Sequence, residues 1–236
     1  MKLPKFSQSR VVADRDPQSR RRFLRKSGLG LAAAGLILTG CADDDDPIMM
    51  EEDNAVSLGE GDIAVLNYAY GLEQLEAAFY AAVLDGNYFS GANTMEQEIL
   101  ADLEAHERAH ADFFKAALGS AAIPALEVDF SSIDFDDRDS VLGTAQAFED
   151  LGVSAYNGAG RLLMNVDYLL VAGKIVSVEA RHAAAIRSIN AGTPTAFADS
   201  SVVDANGLDL ARTPSEVLNI AGTYIVTNID ASGLPQ

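Results

Sequence analysis

Four long segments of this sequence place apolar residues at the spacing of an amphipathic helix, with little strand-like alternation. The predicted helices cover about residues 62–84, 94–118, 140–157 and 165–190. The short connection between the first two makes them antiparallel neighbours. Segment 119–139, which joins the second to the third, is long enough to run the length of a bundle as a crossover. The sequence therefore predicts an all-α fold, a four-helix bundle of two antiparallel helix pairs.

The parts of the chain outside these helices complete the predicted domain organisation. We expect a signal peptide over 1–40, an acidic tether over 41–60, the bundle over 61–193 and a C-terminal tail over 194–236. The tail is polar and rich in turn-forming residues apart from one apolar stretch at 217–226. It is therefore predicted to pack along the outside of the bundle as coil with one short helix.

The charged residues are unevenly distributed along the chain, whose formal net charge is −18. The first forty residues hold nine basic and two acidic side chains, whereas residues 41–236 hold eight basic and 33 acidic ones. A body this acidic repels phosphate, which excludes nucleic acid as a partner.

The basic N-terminal segment has the features of an export signal. Residues 19–25 read Ser-Arg-Arg-Arg-Phe-Leu-Arg and precede a mildly apolar run at 28–40, which is too short to span a bilayer. This string resembles a bacterial twin-arginine signal, and Leu-Thr-Gly-Cys at 38–41 resembles a lipoprotein box. The resemblance implies export by the twin-arginine machinery and lipid attachment at Cys41. The mature protein would be held on a membrane in an extracytoplasmic compartment, the periplasm or cell envelope.

Each predicted helix carries a glutamate followed at a fixed distance by tyrosine or histidine. The first and third helices have a tyrosine seven residues after the glutamate, and the second and fourth have Glu-x-x-His. The motifs occur along the chain in the order Glu73…Tyr80, Glu107-x-x-His110, Glu149…Tyr156 and Glu179-x-x-His182. The motifs of one helix pair thus occur twice in the chain, in the same order.

These spacings bring metal-binding groups together. Residues three apart share one helix face with Cβ atoms about 5–6 Å apart, so a Glu and the following His can reach a common ion. A tyrosine seven residues on lies two turns further along the same face, about 10 Å away. Four inward carboxylates without a counter-charge would be strongly unfavourable in a bundle core. Two divalent cations balance them, so the sequence predicts a two-metal centre.

The same motifs resemble those of a known family, the ferritin-like di-iron and di-manganese carboxylate bundles. Glu-Arg-Ala-His at 107–110 resembles the second helix of rubrerythrin-type proteins, and Glu-Ala-Arg-His at 179–182 resembles their fourth. Segments 72–80 and 179–187 are similar to the exported ferritin-like family that includes the desiccation-related proteins. The resemblance implies bridging roles for Glu107 and Glu179. It implies six ligands in all: Glu73, Glu107, His110, Glu149, Glu179 and His182.

The sequence leaves two assignments open. Glu76 lies three residues after Glu73 and also faces inward, so it competes for the ligand position on the first helix; the tyrosine spacing favours Glu73. Tyr80 and Tyr156 are either core aromatics or hydrogen-bond partners of the carboxylates.

A different metal motif overlaps the second helix. His106, Glu107 and His110 form His-Glu-x-x-His, the pattern of zinc proteases, in which both histidines bind zinc and the glutamate is the general base. That reading needs a third ligand. It also leaves unexplained the second Glu-x-x-His, which ends at His182. The bundle interpretation instead places His106 near the site or at its edge.

The resemblance implies a di-metal oxidoreductase, with iron as the preferred metal and manganese as the alternative. Iron would support oxidation of Fe(II) or reduction of peroxide, and manganese would support peroxide disproportionation. The competing hypothesis is a non-enzymatic, stress-protective envelope protein whose metal site is vestigial. A lipid anchor and an acidic tether suit a monomer or homodimer on a membrane better than a hollow storage shell.

Overall fold

The structure is a computed structural model that describes residues 55–235; the predicted signal peptide, Cys41 and most of the tether lie outside the described residues. The described part confirms the all-α architecture. It contains six α-helices and one pair of short strands: β1 (Val56–Ser57), α1 (Gly61–Asp85), α2 (Asn87–Gly91), α3 (Thr94–Leu118), α4 (Arg138–Gly160), α5 (Val166–Asn190), α6 (Pro214–Ala221) and β2 (Ile229–Asp230).

The four long helices, α1, α3, α4 and α5, are those expected from the apolar periodicity. α1 packs chiefly against α3, and α4 packs chiefly against α5. α2 is a difference from the sequence prediction, because it lies in the short connection between the first two predicted helices, where no helix was predicted. Among the described residues, no helix is long and apolar enough to cross a membrane.

The segment between α3 and α4 follows α1 over most of its length, as expected of a crossover. At the start of α1, Asn67 donates from Nδ2 to the Ala121 carbonyl at 2.8 Å and accepts from the backbone N–H of Ile123 at 3.0 Å. Two turns further on, the Gln74 side chain accepts from the backbone N–H of Leu126 at 2.9 Å. Beyond the end of α1, the crossover carbonyl of Phe135 accepts from the N–H of Tyr88 at 3.2 Å. These bonds fix the crossover against the first helix pair.

An aromatic cluster fills the space between the crossover and the interior of the bundle. Phe79 on α1 is fully buried, and its ring lies 5.0 Å from Phe148 on α4 and 5.1 Å from Tyr80. Phe130 and Phe135 of the crossover lie 6.0 and 6.1 Å from the same ring. The edge-to-face contacts are typical of aromatic packing in cores. They hold Tyr80 in a water-excluded position next to the polar interior described below.

The C-terminal tail packs on the second helix pair and returns to the start of the domain. The backbone N–H of Arg212 donates to the Ser154 carbonyl on α4 at 3.0 Å. A Cβ atom at Gly158 would stand 1.7 Å from the Arg212 carbonyl oxygen, so only glycine allows this approach. The tail then forms α6, on the segment where a short helix was expected, and β2, which pairs in parallel with β1. Residues 56–57, which the sequence analysis assigns to the tether over 41–60, thus form a strand that pairs with the tail.

A buried arginine also ties the tail to α4. Arg187 of α5 is 4% exposed and bonds to Asp150 of α4 at 2.6 Å. The same guanidinium reaches Asp199 at 2.8 Å and Ser201 at 3.1 Å in the tail. Because the charge is buried, both acidic partners are needed to offset its desolvation.

Candidate metal centre

Six side chains from the four long helices meet in the interior of the bundle. The four glutamates are at most 1% exposed, His182 is 4% exposed and the His110 side chain is 15% exposed. α1 and α4 each contribute one glutamate, whereas α3 and α5 each contribute Glu-x-x-His. The residues brought together are Glu73, Glu107, His110, Glu149, Glu179 and His182, the full set expected from the sequence.

The six side chains form two overlapping groups of four. One group is Glu73, Glu107, His110 and Glu179, and the other is Glu107, Glu149, Glu179 and His182. Within each group, one potential ligand atom per residue lies within 4.8 Å of all the others. Glu107 and Glu179 belong to both groups, which is the placement required of carboxylates shared by two ions.

Each shared carboxylate divides its two oxygens between the two histidines. Glu107 directs Oε1 to Nδ1 of His182 at 2.8 Å and Oε2 to Nδ1 of His110 at 3.5 Å. Glu179 does the reverse, with Oε1 at 2.8 Å from His110 and Oε2 at 3.2 Å from His182. The remaining glutamates are private to one group: Glu73 lies 3.2 Å from His110, and Glu149 lies 3.6 Å from His182.

Many of these atoms are close to one another but not aligned for hydrogen bonding. In the described residues, eight buried side-chain N or O atoms lack a hydrogen-bond partner, and six of them belong to this cluster: Glu73 Oε2, both oxygens of Glu107, His110 Nδ1, Glu149 Oε2 and Glu179 Oε1. Buried polar atoms are normally hydrogen-bonded, and orphaned ones are costly. Convergent carboxylate and imidazole lone pairs of this kind are ligands that could hold metal ions.

Without metal, the cluster must hold protons in place of cations. Burial raises the pKa of Glu73 to about 8 and raises the pKa of Glu149 well above its ordinary value. Burial lowers the pKa values of His110 and His182, but the adjacent carboxylates outweigh burial and raise these pKa values to about 12 and about 10. For Glu107, burial is outweighed by the two adjacent histidines, and its pKa falls to about 2. Divalent ions would displace these protons on binding.

Two buried tyrosines hold the private glutamates from across the bundle. Tyr80 on α1 donates from Oη to Oε1 of Glu149 on α4 at 2.5 Å. Tyr156 on α4 donates to Oε1 of Glu73 on α1. Burial, followed by the charge of the bonded glutamate, raises the pKa of both phenols well above 10, so they stay protonated donors. Of the two readings left open for these tyrosines, the geometry matches hydrogen bonding to the carboxylates.

Comparison with known protein families agrees with this geometry. Residues 61–191 match the family model described as ferritin-like domain. The chain belongs to the ferritin-like domain family. No curated protein matches the chain.

Glu76 of the ferritin-like domain is buried but stands apart from both groups of four. It is 5% exposed and lies against Gly152 of α4, where a Cβ atom would approach its Oε1 to 3.0 Å. Burial raises its pKa well above the ordinary value, and nearby carboxylates add to the effect. The residue that reaches His110 from α1 is Glu73.

His106 lies at the outer edge of the ferritin-like domain's polar interior. Its exposed ring is nearly coplanar with that of His182, at an interplanar angle of 9°, and its Nδ1 lies 2.9 Å from Nε2 of His182. It is in neither group of potential ligands, so His106 and His110 do not converge on one point as a zinc protease requires. The sequence predicts His106 near the site or at its edge, but the contact of His106 with His182 depends on how α3 and α5 pack.

Proposed function

We propose that this chain is an exported, lipid-anchored ferritin-like protein whose bundle holds two metal ions, with iron preferred over manganese. The observation that carries the metal site is the pair of overlapping groups that share Glu107 and Glu179. Their orphaned buried atoms support the same conclusion, because two cations, one in each group, would give these atoms partners. Export and anchoring rest on the twin-arginine and lipoprotein-box resemblances in residues 19–41.

The residues of the chain would divide the work at such a centre. Glu107 and Glu179 supply one oxygen to each side, and His110 and His182 supply one imidazole each. The tyrosines orient Glu73 and Glu149 by hydrogen bonds. The aromatic cluster around Phe79 excludes water from the neighbourhood of Tyr80. When bound, a redox-active metal pair would exchange electrons with dioxygen or peroxide, which makes a ferroxidase or a peroxide-detoxifying enzyme the expected activity class.

Metal content tests this proposal directly. The chain purified without residues 1–41 is expected to bind about two equivalents of iron or manganese. Glu107→Gln should lose both, whereas Glu76→Gln, a buried carboxyl outside both groups, serves as the matched control and should keep both. One zinc ion that depends on His106 would instead support a protease. Protein that takes up no metal under any loading condition would leave a non-enzymatic envelope protein.

Activity is measured on the same loaded samples. Oxidation of added Fe(II) and consumption of hydrogen peroxide are each expected to disappear in Glu107→Gln and persist in Glu76→Gln. Activity that is equal in these two variants would contradict a role for the cluster.

The location of the protein is tested separately from its chemistry. Expressed in a bacterium with a twin-arginine pathway, the full chain should appear in the membrane fraction and carry lipid label. Cys41→Ser should abolish the label and release the protein from the membrane. Replacing Arg20, Arg21 and Arg22 by lysine should retain an unprocessed precursor in the cytoplasm. Export that survives this triple change would contradict the twin-arginine assignment.

A further inference from the structure

The contact between His106 and His182 links an exposed residue to the buried cluster. Nδ1 of His106 and Nε2 of His182 are 2.9 Å apart. The other nitrogen of His182, Nδ1, faces the carboxylates, at 2.8 Å from Glu107 and 3.2 Å from Glu179. His182 therefore has one nitrogen directed inward and one bonded outward to another imidazole.

This arrangement determines which nitrogen of His182 carries the proton when a metal is bound. A neutral imidazole has one N–H and one lone pair, and a metal takes the lone pair. Because Nδ1 points at the carboxylates, the proton must be on Nε2. Nε2–H then donates to the lone pair of His106 Nδ1, which requires the proton of His106 to be on its own Nε2.

The other histidine of the cluster has no such partner. Residues 55–235 provide no hydrogen bond to the outer nitrogen of His110, and its side chain is the more exposed of the two, 15% against 5%. The duplicated motif differs at this point in the sequence as well. Val178 precedes Glu179 where His106 precedes Glu107, and valine offers no side-chain hydrogen bond.

We propose that His106 is a positioning residue that fixes the tautomer and ring orientation of His182, so that the ion beside His182 is held more tightly than the ion beside His110. This inference rests on the proposed two-metal function. Outer hydrogen bonds to a ligating histidine typically contribute about 10–100-fold to metal affinity or activity. A difference of that size would separate the two ions by the order in which they bind.

The experiment uses Zn²⁺ as a redox-inert probe of the full-length protein, with affinities measured by chelator competition. Wild type should bind two ions with unequal affinity. His106→Ala should weaken the tighter step about tenfold or more and leave the weaker step unchanged. His106→Asn should recover most of the loss, since its side-chain oxygen can accept from His182. Arg108→Ala, an exposed change on the same helix, is the control and should match wild type.

A second measurement does not depend on whether the alanine variant folds. In the zinc-loaded wild type, long-range ¹H–¹⁵N spectra should show His182 protonated at Nε2 and His106 unprotonated at Nδ1. A proton on Nδ1 of His106, equal affinities in the alanine variant and wild type, or an asparagine variant no better than alanine would each overturn the role of His106 alone. Wild type that binds no metal would overturn the proposed function and this inference with it.

Discussion

The two helix pairs of the bundle present nearly the same groups to its interior. The first half, α1 and α3, supplies a glutamate, a tyrosine and Glu-x-x-His, and the second half, α4 and α5, supplies the same set. Each half also reaches across to the other. Tyr80 of the first half bonds Glu149, and Tyr156 of the second half bonds Glu73.

The surroundings of the two halves differ. The crossover lies along the first half at Asn67 and Gln74, whereas the tail is fastened to the second half by Arg187 and Arg212. His182 of the second half is bonded to the imidazole of His106, whereas His110 has no equivalent among residues 55–235. The duplicated part is thus the ligand face alone, and an ion on one side of the cluster would experience a different environment from an ion on the other.

The largest expected effect on metal content comes from substituting the two glutamates that both groups share, Glu107 and Glu179. Glu107→Gln removes negative charge from both groups, and we expect metal content to fall from about two ions per chain to nearly none. Glu179→Gln should do the same. Elemental analysis after dialysis is the measurement, and retention of one ion in either variant would show that the carboxylate is not shared.

Changing a glutamate that belongs to only one group should affect the ion in that group and leave the other ion bound. Glu73→Gln is expected to lose the ion beside His110, and Glu149→Gln the ion beside His182, because each glutamate belongs to one group only. Each variant should retain about one ion, and the double variant should retain almost none. If both single variants lost all metal, the two ions would be binding as one unit and the comparison between halves would fail.

The metal-free protein should become less stable as the pH rises. Glu73 has a folded pKa of about 8 against an ordinary 4.5, and His182 has about 10 against 6.5. The folded chain therefore keeps protons that the unfolded chain has released, and this stability is lost between about pH 4.5 and 10. The depressed pKa of Glu107 acts oppositely, but only below pH 4.5.

Thermal melting of chelator-treated protein from pH 5 to 9 measures this effect. The midpoint should fall with rising pH, and added metal should reverse the trend because it replaces the bound protons. Glu73→Gln serves as the control and should flatten the part of the curve between pH 5 and 8. A midpoint that rises with pH in the metal-free protein would contradict the retention of protons by Glu73 and His182 in the folded state.

The tyrosines should produce smaller effects that cross from one half to the other. Tyr80→Phe removes the hydroxyl bonded to Glu149, so it should lower the affinity for the ion beside His182, although Tyr80 is on α1. Tyr156→Phe should lower the affinity for the ion beside His110. The loss of one hydrogen bond to a charged group corresponds to about 1.5–3 kcal/mol, or roughly ten- to a hundredfold in affinity. Stepwise zinc titration of both variants is the measurement. If Tyr80→Phe instead weakened binding beside His110, and Tyr156→Phe weakened binding beside His182, the assignment of each tyrosine to the opposite half would be wrong.

The smallest expected effect is at Glu76. Glu76→Gln replaces a buried carboxyl whose pKa is well above the ordinary value with a neutral side chain of the same shape. Both ions should remain bound with unchanged affinity, since Glu76 lies against Gly152 outside both groups. Loss of an ion in this variant would make Glu76, rather than Glu73, the ligand on α1.

The amphipathic repeats made the four long helices and their pairing predictable, because helix periodicity is encoded locally. The i, i+3 spacing placed Glu107 with His110, and Glu179 with His182, on one helix face whatever the tertiary context. The resemblance to the ferritin-like bundles added Glu73 and Glu149. The short α2 and strand β1 were not foreseen. β1 exists only through its pairing with Ile229–Asp230, some 170 residues away, and no local pattern encodes such a contact.

The partners of individual side chains were the least predictable part of the site. Seven-residue spacing placed each tyrosine on the face of its own glutamate, but each hydroxyl bonds the glutamate of the opposite helix. His106 could be placed near the cluster from its position on α3, but its bond to His182 depends on how α3 and α5 approach one another. Sequence spacing fixes the face of a helix and leaves the neighbouring helix undetermined.

The exchange of tyrosines between the halves has a consequence for how the protein matures. In a single helical hairpin folded alone, the glutamate would lack the tyrosine that bonds it from the other hairpin, and each group of ligands would be incomplete. Neither hairpin could therefore retain ions before it packs against the other. Loading would therefore follow docking of the hairpins, and bound metal would mark a chain whose assembly is finished.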